Sequence, residues 1–280
     1  MWVVFALAAL LLFGFKNFFE KVSSKKGDIE VIMIIERVVA LIIISLSFVF
    51  YLLRTEESIL VFNKGVLMAF LAAVFMAGGT LFLYRSLKKH SLAIVSPVTS
   101  LAPLVPAILG IIILKEEINS YWIIGLFFAV AAFLFFTYKS RKFKISGLPF
   151  LAMGAFGLMS FANKMAVGSI SPFFATFLVF SFAMVFYVAF FILKSRKKKL
   201  KIEKGAIIKS VSAGICLGLG SVFFFTALSL GPISRISFMV DLNIVLTVSL
   251  ALFFLKERLD SQRYAGIIFA IASMILLSLS

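Results

Sequence analysis

Val38–Phe50 reads VVALIIISLSFVF, without a charge or a break. A membrane-barrel strand would alternate apolar and polar residues, and a helix on a soluble domain would keep one polar face. This run does neither. A helix built from it is apolar all round and must be surrounded by other apolar groups. Working outward, comparable runs fall near 2–19, 31–53, 65–84, 92–114, 121–138, 148–167, 172–193, 205–228, 233–255 and 262–280. Each is about 18–24 residues, enough to cross a hydrocarbon layer of roughly 30 Å as a helix. Composition agrees, with 62% of the 280 residues apolar and 14% charged. A soluble chain carries about 45–50% and about 25%. The sequence thus predicts an all-α polytopic membrane protein with ten transmembrane helices. The first run lacks a basic leader and a small-residue cleavage site, so it reads as a span and not a cleaved signal. The lone Cys216 permits no intrachain disulfide.

The formal charge of +16 is unevenly placed. Let side A carry both termini and the connections 54–64, 115–120, 168–171 and 229–232, and side B the others. Side A connections hold Arg54, Lys64 and Lys115 against Glu56, Glu57, Glu116 and Glu117, whereas 21 of the 28 basic residues fall on side B. Basic connections stay in the cytoplasm, so side B is expected there and both termini outside the cell membrane. The run Lys194-Ser195-Arg196-Lys197-Lys198-Lys199 reads as an orientation signal and a contact for anionic lipid headgroups. Nucleic acid would need a folded basic surface with interleaved aromatics, which these connections do not offer.

The chain also repeats itself. Leu114-Lys115-Glu116-Glu117-Ile118 with Gly125 matches Leu255-Lys256-Glu257-Arg258-Leu259 with Gly266 at an offset of 141, and Ala129, Ala131, Leu87 and Ser96 fall on Ala270, Ala272, Leu228 and Ser237. Residues 1–140 and 141–280 read as two five-helix units. Five is odd, so the second copy enters the membrane from the opposite side, giving an inverted repeat around a central cavity, a recurring transporter plan.

Tyr84 with Leu87, Pro97, Pro103 and Pro106 in span four, then Leu114-Lys115-Glu116 and Gly125, resemble the signature of the EamA-type drug/metabolite transporter superfamily. Ala227-Leu228, Leu255-Lys256-Glu257 and Gly266 repeat it, and Arg37 fits an arginine often found in span two. The resemblance covers nearly the whole chain and implies that fold. It leaves the substrate open among amino acids, nucleobases, sugars, drugs and lipid-linked intermediates. Span nine has no proline to match those of span four.

An ionisable group inside a span costs about 2.5–3.5 kcal/mol near a helix centre, so each needs a partner, water or a task. Asp241 is the acidic residue nearest the middle of a span, and its repeat mate is Ser100; Ser237 and Ser96 precede them by one turn. These four predict a midplane substrate or proton site between spans four and nine. Asn243 lies on another stripe with Arg235, Met239 and Thr247, as a ligand contact or interhelical glue. Arg37 and Lys164 are expected to attract anionic groups, Asn17 and Tyr84 to stand at a gate or vestibule, and Lys209 to snorkel. The many Phe read as lipid-facing or packing residues. Gly214 with Gly218, and Gly125 with Ala129, permit close helix approach. The three prolines should kink or unwind span four.

His90 is the only histidine, and no Cys/His cluster, nucleotide-binding glycine loop or nucleophile with a base emerges. No enzyme activity, cofactor or metal is expected. The sequence supports a secondary transporter of a small organic metabolite, an amino acid, nucleobase or similar, exported by alternating access as a monomer or homodimer. The alternatives are a flippase for a lipid-linked sugar or amphipathic headgroup, and a non-transporting membrane scaffold.

Overall fold

The computed structural model describes residues 1–24, 26–55, 63–89, 95, 98–137, 147–195, 202–255 and 261–280. In chain order its helices are α1 (Trp2–Ser23), α2 (Ile29–Leu52), α3 (Lys64–Lys89), α4 (Leu104–Leu114), α5 (Ser120–Thr137) and α6 (Leu148–Val167). Then follow α7 (Pro172–Ser195), α8 (Lys204–Leu230), α9 (Ile233–Asp241), α10 (Asn243–Leu255) and α11 (Ser261–Leu279). Among the described residues there is no strand, only one isolated antiparallel bridge between Gly27 and Ile202. Seven segments are long and apolar enough to cross a membrane, counting Ile233–Phe254 as one, and three shorter apolar helices accompany them.

Burial follows the logic of a lipid solvent. On α1 the small Ala6, Ala9 and Gly14 face inward with Leu10, while Val4, Leu7, Leu11 and Phe15 are exposed. Ala69, Ala72 and Ala73 are fully buried on α3. Small residues inside allow close backbone approach, and large apolar residues outside meet hydrocarbon. Gly214 and Gly218 show the purpose: a Cβ on Gly214 would stand 2.8 Å from the Glu36 carbonyl, and one on Gly218 3.0 Å from that of Ala40. Their missing side chains let α8 press onto the backbone of α2.

The two sequence halves interlock. The closest pairs are α1 with α8, α3 with α6, and α5 with α11, followed by α2 with α8, α3 with α7, and α2 with α7. Each joins a helix of one half to a helix of the other. Exchanging every span with the one five later turns the α1–α8 pair into α6–α3 and the α2–α8 pair into α7–α3. It returns α5–α11 and α2–α7 to themselves.

Connections gather at two ends. Trp2 packs on Gly231, Gly65 on Ile170, and Glu116 on Ile233, so one end holds the N-terminus and three of the side A connections. At the other end Glu203 N–H donates to the Lys26 carbonyl at 3.1 Å, and Lys26 Nζ lies 3.4 Å from Glu203 Oε2.

Three helix boundaries differ from the apolar runs. α1 continues to Ser23, which brings Glu20 into the helix one turn after Lys16; their i,i+4 spacing pairs the charges and stabilises the added turn. α3 runs on to Lys89, so the cations from Arg85 onward extend a helix instead of forming a loop. Span nine, which has no proline, is nonetheless interrupted at Leu242 (φ −68°, ψ 4°). There Leu242 accepts from Val245 N–H at 3.0 Å, and the Asn243 amide donates to the Val240 carbonyl at 3.0 Å. A side-chain amide standing in for a backbone donor explains how the helix breaks without proline. Span four has regular helix from Leu104, immediately after Pro103.

Candidate functional site

The interlocked helices enclose a central cavity of about 430 Å³. Its apolar wall is built from Met33, Met76 and Met159 and from Phe13, Phe156, Phe180, Phe224 and Phe225. These rings pack against their neighbours, as Phe13 does on Phe224, and also border the space. Toward side B the wall carries Lys16, Glu20, Glu36 and Arg37, and the lining reaches the helix-end residues Ile29 and Leu87. Toward side A it stops at Asn163 and Ser237, short of the α8–α9 turn. The cavity therefore approaches one end of the bundle and not the other.

Four buried side-chain atoms on this wall have no hydrogen-bond partner among the described residues: Glu36 Oε1, Arg37 Nε, Asn163 Oδ1 and Ser237 Oγ. A buried polar atom left unbonded costs about 1–3 kcal/mol, and a ligand that satisfies it recovers that cost. The same wall holds the Lys16–Glu20 ion pair. Arg37 also lays its guanidinium 5.0 Å from the centre of the Tyr187 ring, a cation–π contact that orients it.

Asp241 is the last residue of α9, where the helix is interrupted. It lines the central cavity and also a second one of about 240 Å³ that holds Asn17, Ser100, Asn243 and Thr247. No hydrogen bond or ion pair joins its carboxylate to another described residue. Asn17 Nδ2 donates to Asn243 Oδ1 at 2.8 Å, tying α1 to α10.

The structure thus brings Asp241, Ser237 and Arg37 to the central cavity and Asp241, Ser100, Asn243 and Asn17 to the second. Ser96 and the side chain of Tyr84 lie outside the described residues. Lys164 is on neither wall. Its ammonium donates to the carbonyls of Leu228 at 2.6 Å and Gly231 at 2.8 Å, capping the C-terminus of α8.

Glu116 answers it from the opposite side of the same turn. Lys115 adopts a left-handed conformation (φ 54°) that ends α4 and swings the next residue outward. Glu116 then accepts from Ile233 N–H at 2.7 Å through Oε1 and from Ser234 N–H at 2.9 Å through Oε2. A carboxylate on the first free N–H groups of α9 is the favoured charge at a helix N-terminus. Trp122 Nε1 adds a donation to the Ser234 carbonyl at 3.4 Å. The Leu-Lys-Glu repeat motif is here a clamp on the α8–α9 turn, held from α4, α5 and α6.

Sequence reasoning missed Lys16 and Glu20 as wall residues because they stand near and just past the end of the first apolar run; their i,i+4 spacing was the available signal. Thr80, Ser160, Asn163 and Ser221 also line the cavity, and nothing in the sequence separates them from the other small polar residues of the spans.

The EamA-like transporter family model matches residues 1–138 and again 145–279. An uncharacterized protein of Methanocaldococcus jannaschii is 28% identical over 127 residues, which are 44% of this chain and 87% of that protein. A solved crystal structure of a protein aligns with 99% of this chain and 96% of its own, with TM-score 0.80 at 13% identity, a likeness of fold alone. With two family matches spanning nearly all of a chain whose helices are membrane-length and outwardly apolar, the protein belongs to the EamA-like transporter family of the drug/metabolite superfamily and is a multi-pass membrane protein.

Proposed function

We propose that this chain is a ten-span secondary transporter, built from two inverted five-helix units, that exports a small organic metabolite by alternating access around the central cavity. The observation that carries the reading is the set of four unbonded buried polar atoms on the wall of a 430 Å³ space that approaches one end only. A polar, partly charged solute with an apolar portion suits that wall: Arg37 faces an anionic group, Glu36 and Asp241 a cationic one, Ser237 and Asn163 offer hydrogen bonds, and the Met and Phe side chains hold the remainder. The mirrored helix pairings support the repeat, as does a relative that matches about half of this chain over most of its own length.

Because the halves interlock, the moving bodies are two mixed bundles: α1, α2, α8 and α9–α10 on one side, α3, α4, α6 and α7 on the other. The Glu116–Lys164 clamp joins them at side A, which the charge bias assigns to the outside of the cell membrane. This form is then open toward the cytoplasm. Outward release needs the clamp to let go of the α8–α9 turn while the side B end closes.

A flippase is the second reading. A crevice of about 10 Å³ between α2 and α7 shares Met33 and Arg37 with the central cavity and is also lined by Phe190 and Phe191. A headgroup entering from lipid would need α2 and α7 to part there, since the crevice is about the size of one water.

A thermal-shift screen of the purified protein against amino acids, nucleosides, sugar phosphates and amphipathic headgroups, followed by flux of each stabilising compound in proteoliposomes, tests the proposal. A soluble solute that stabilises and is moved supports export; a headgroup that alone does so supports the flippase. Stabilisation by none, with no flux, points to a scaffold.

A further inference from the structure

Asp241 has a second face, and the chamber behind it differs in chemistry from the central cavity. Lys16 and Arg37 line the central cavity, whereas among the described residues no lysine or arginine lines the second one. One amide proton of each Asn and the Thr247 hydroxyl proton are already committed. Asn17 Nδ2–H donates to Asn243 Oδ1 at 2.8 Å, and Asn243 Nδ2–H donates onward to the Val240 carbonyl at 3.0 Å. Thr247 has one hydroxyl proton, shared between the carbonyls of Asn243 at 3.0 Å and Gly14 at 3.3 Å. These bonds leave four oxygen acceptors, the Asn17 side-chain carbonyl, the Thr247 and Ser100 hydroxyl oxygens and the Asp241 carboxylate, beside one neutral N–H on each Asn and the Ser100 O–H.

An anion would find no cationic donor there among the described residues. Softer metals favour imidazole and thiolate, and the described residues contain no group of three or more His, Cys, Asp and Glu. Neutral oxygens around one carboxylate suit a hard cation, and a single negative charge suits a monovalent one. The volume of about 240 Å³ equals roughly eight waters at about 30 Å³ each, so such an ion keeps part of its hydration shell.

We propose that Asp241, Asn17, Ser100 and Thr247 form a site for a hard monovalent inorganic cation of the Na⁺ class, in a chamber separate from the one that takes the organic solute. This deepens the transport reading and rests on it. Asp241 stands between the chambers, so a cation on one face neutralises the carboxylate that a cationic group of the solute would meet on the other. The two ligands then compete for one charge, which is the arrangement an exchanger needs.

The test is binding without transport. The melting midpoint of the purified wild-type protein, with no organic solute, is followed as NaCl replaces N-methyl-D-glucamine chloride at constant ionic strength and pH. A saturable rise with Na⁺ is expected, absent with the bulky organic cation. Thr247→Val, which keeps shape and removes one oxygen, should raise the half-saturating Na⁺ concentration about tenfold. Asp241→Asn should abolish the response. Ser100→Ala repeats the first test without touching charge, so the outcome does not hang on Asp241→Asn folding. A midpoint indifferent to the choice of cation, or a half-saturation unmoved in Thr247→Val and Ser100→Ala, overturns the site. Flux of an organic solute without any Na⁺ response removes the cation site and leaves the transporter. A Na⁺ response without flux of any solute removes the transporter and leaves the cation site.

Discussion

The two ends of the bundle put the same residue types to opposite uses. At side A, Glu116 and Lys164 direct their charge at backbone groups of the α8–α9 turn, through four contacts of 2.6–2.9 Å. Toward side B, Lys16 and Glu20 hold each other, while Glu36 and Arg37 each leave an atom unbonded beside the cavity. A charge absorbed by helix termini belongs to the scaffold and sets a conformation. A charge with bonding capacity left over, facing empty volume, is free to meet a ligand. The comparison teaches that an intramembrane ion is assigned by what its hydrogen bonds leave unspent.

The sharpest way to break this comparison is to cut the clamp. Glu116→Ala removes two charge-assisted bonds worth about 1.5–3 kcal/mol each, so the melting midpoint should fall and the side A turn should open. Ser234 is buried, and a Ser234→Cys reporter in a background with Cys216 replaced should gain reactivity to a membrane-impermeant maleimide by at least about tenfold when Glu116→Ala is added. Equal labelling with and without Glu116 would mean that the clamp is not the closure.

Next comes a crossed pair. Arg37→Gln should cut flux about 10–100-fold with little change in melting midpoint, since the arginine leaves bonding capacity unused. Lys164→Gln should do the reverse, lowering the midpoint by the loss of two carbonyl contacts while affecting solute KM less than Arg37→Gln does. Matching profiles for the two variants would erase the distinction between the ends.

A smaller effect is expected at Ser237. Ser237→Ala deletes an unbonded buried hydroxyl, so stability should stay within about 1 kcal/mol of wild type or rise slightly, while solute affinity falls several-fold. A loss of several kcal/mol would show that Ser237 has a structural partner. The smallest expected effect is from Glu20→Gln, which weakens an i,i+4 pair worth about 0.2–0.5 kcal/mol and should move the midpoint barely, with any change appearing in solute affinity.

Much of this could be read from residues alone, for identifiable reasons. The helical membrane fold follows from runs such as Val38–Phe50, where the number of apolar faces leaves one outcome. The duplication follows from the 141-residue offset. Asp241, Ser237 and Arg37 were legible as costly or polar groups at depth, and they do line the cavity. Lys164 resembles Arg37 in sequence terms, and what separates them is a turn 64 residues away that faces one and not the other. Lys16 and Glu20 were hidden by a boundary effect, because a helix can continue past its apolar run once its charges pair. The break at Leu242 was illegible without proline, since it depends on Asn243 reaching back to Val240. Asp241, Ser100, Asn243 and Asn17 of the second chamber were legible one by one, but their sharing a space apart from Ser237 was not, because that space is assembled from α1, α5, the end of α9, α10 and the turn before α4.

The central claim is that the unbonded polar wall binds a transported solute and that Asp241 couples its passage. Solute counterflow in proteoliposomes tests it most directly, using the compound that most stabilises the purified protein and comparing wild type with Asp241→Asn of matched fold and incorporation. The account predicts saturable counterflow by wild type and near-complete loss in Asp241→Asn. Undiminished counterflow in Asp241→Asn, with unchanged dependence on pH and Na⁺, would contradict it.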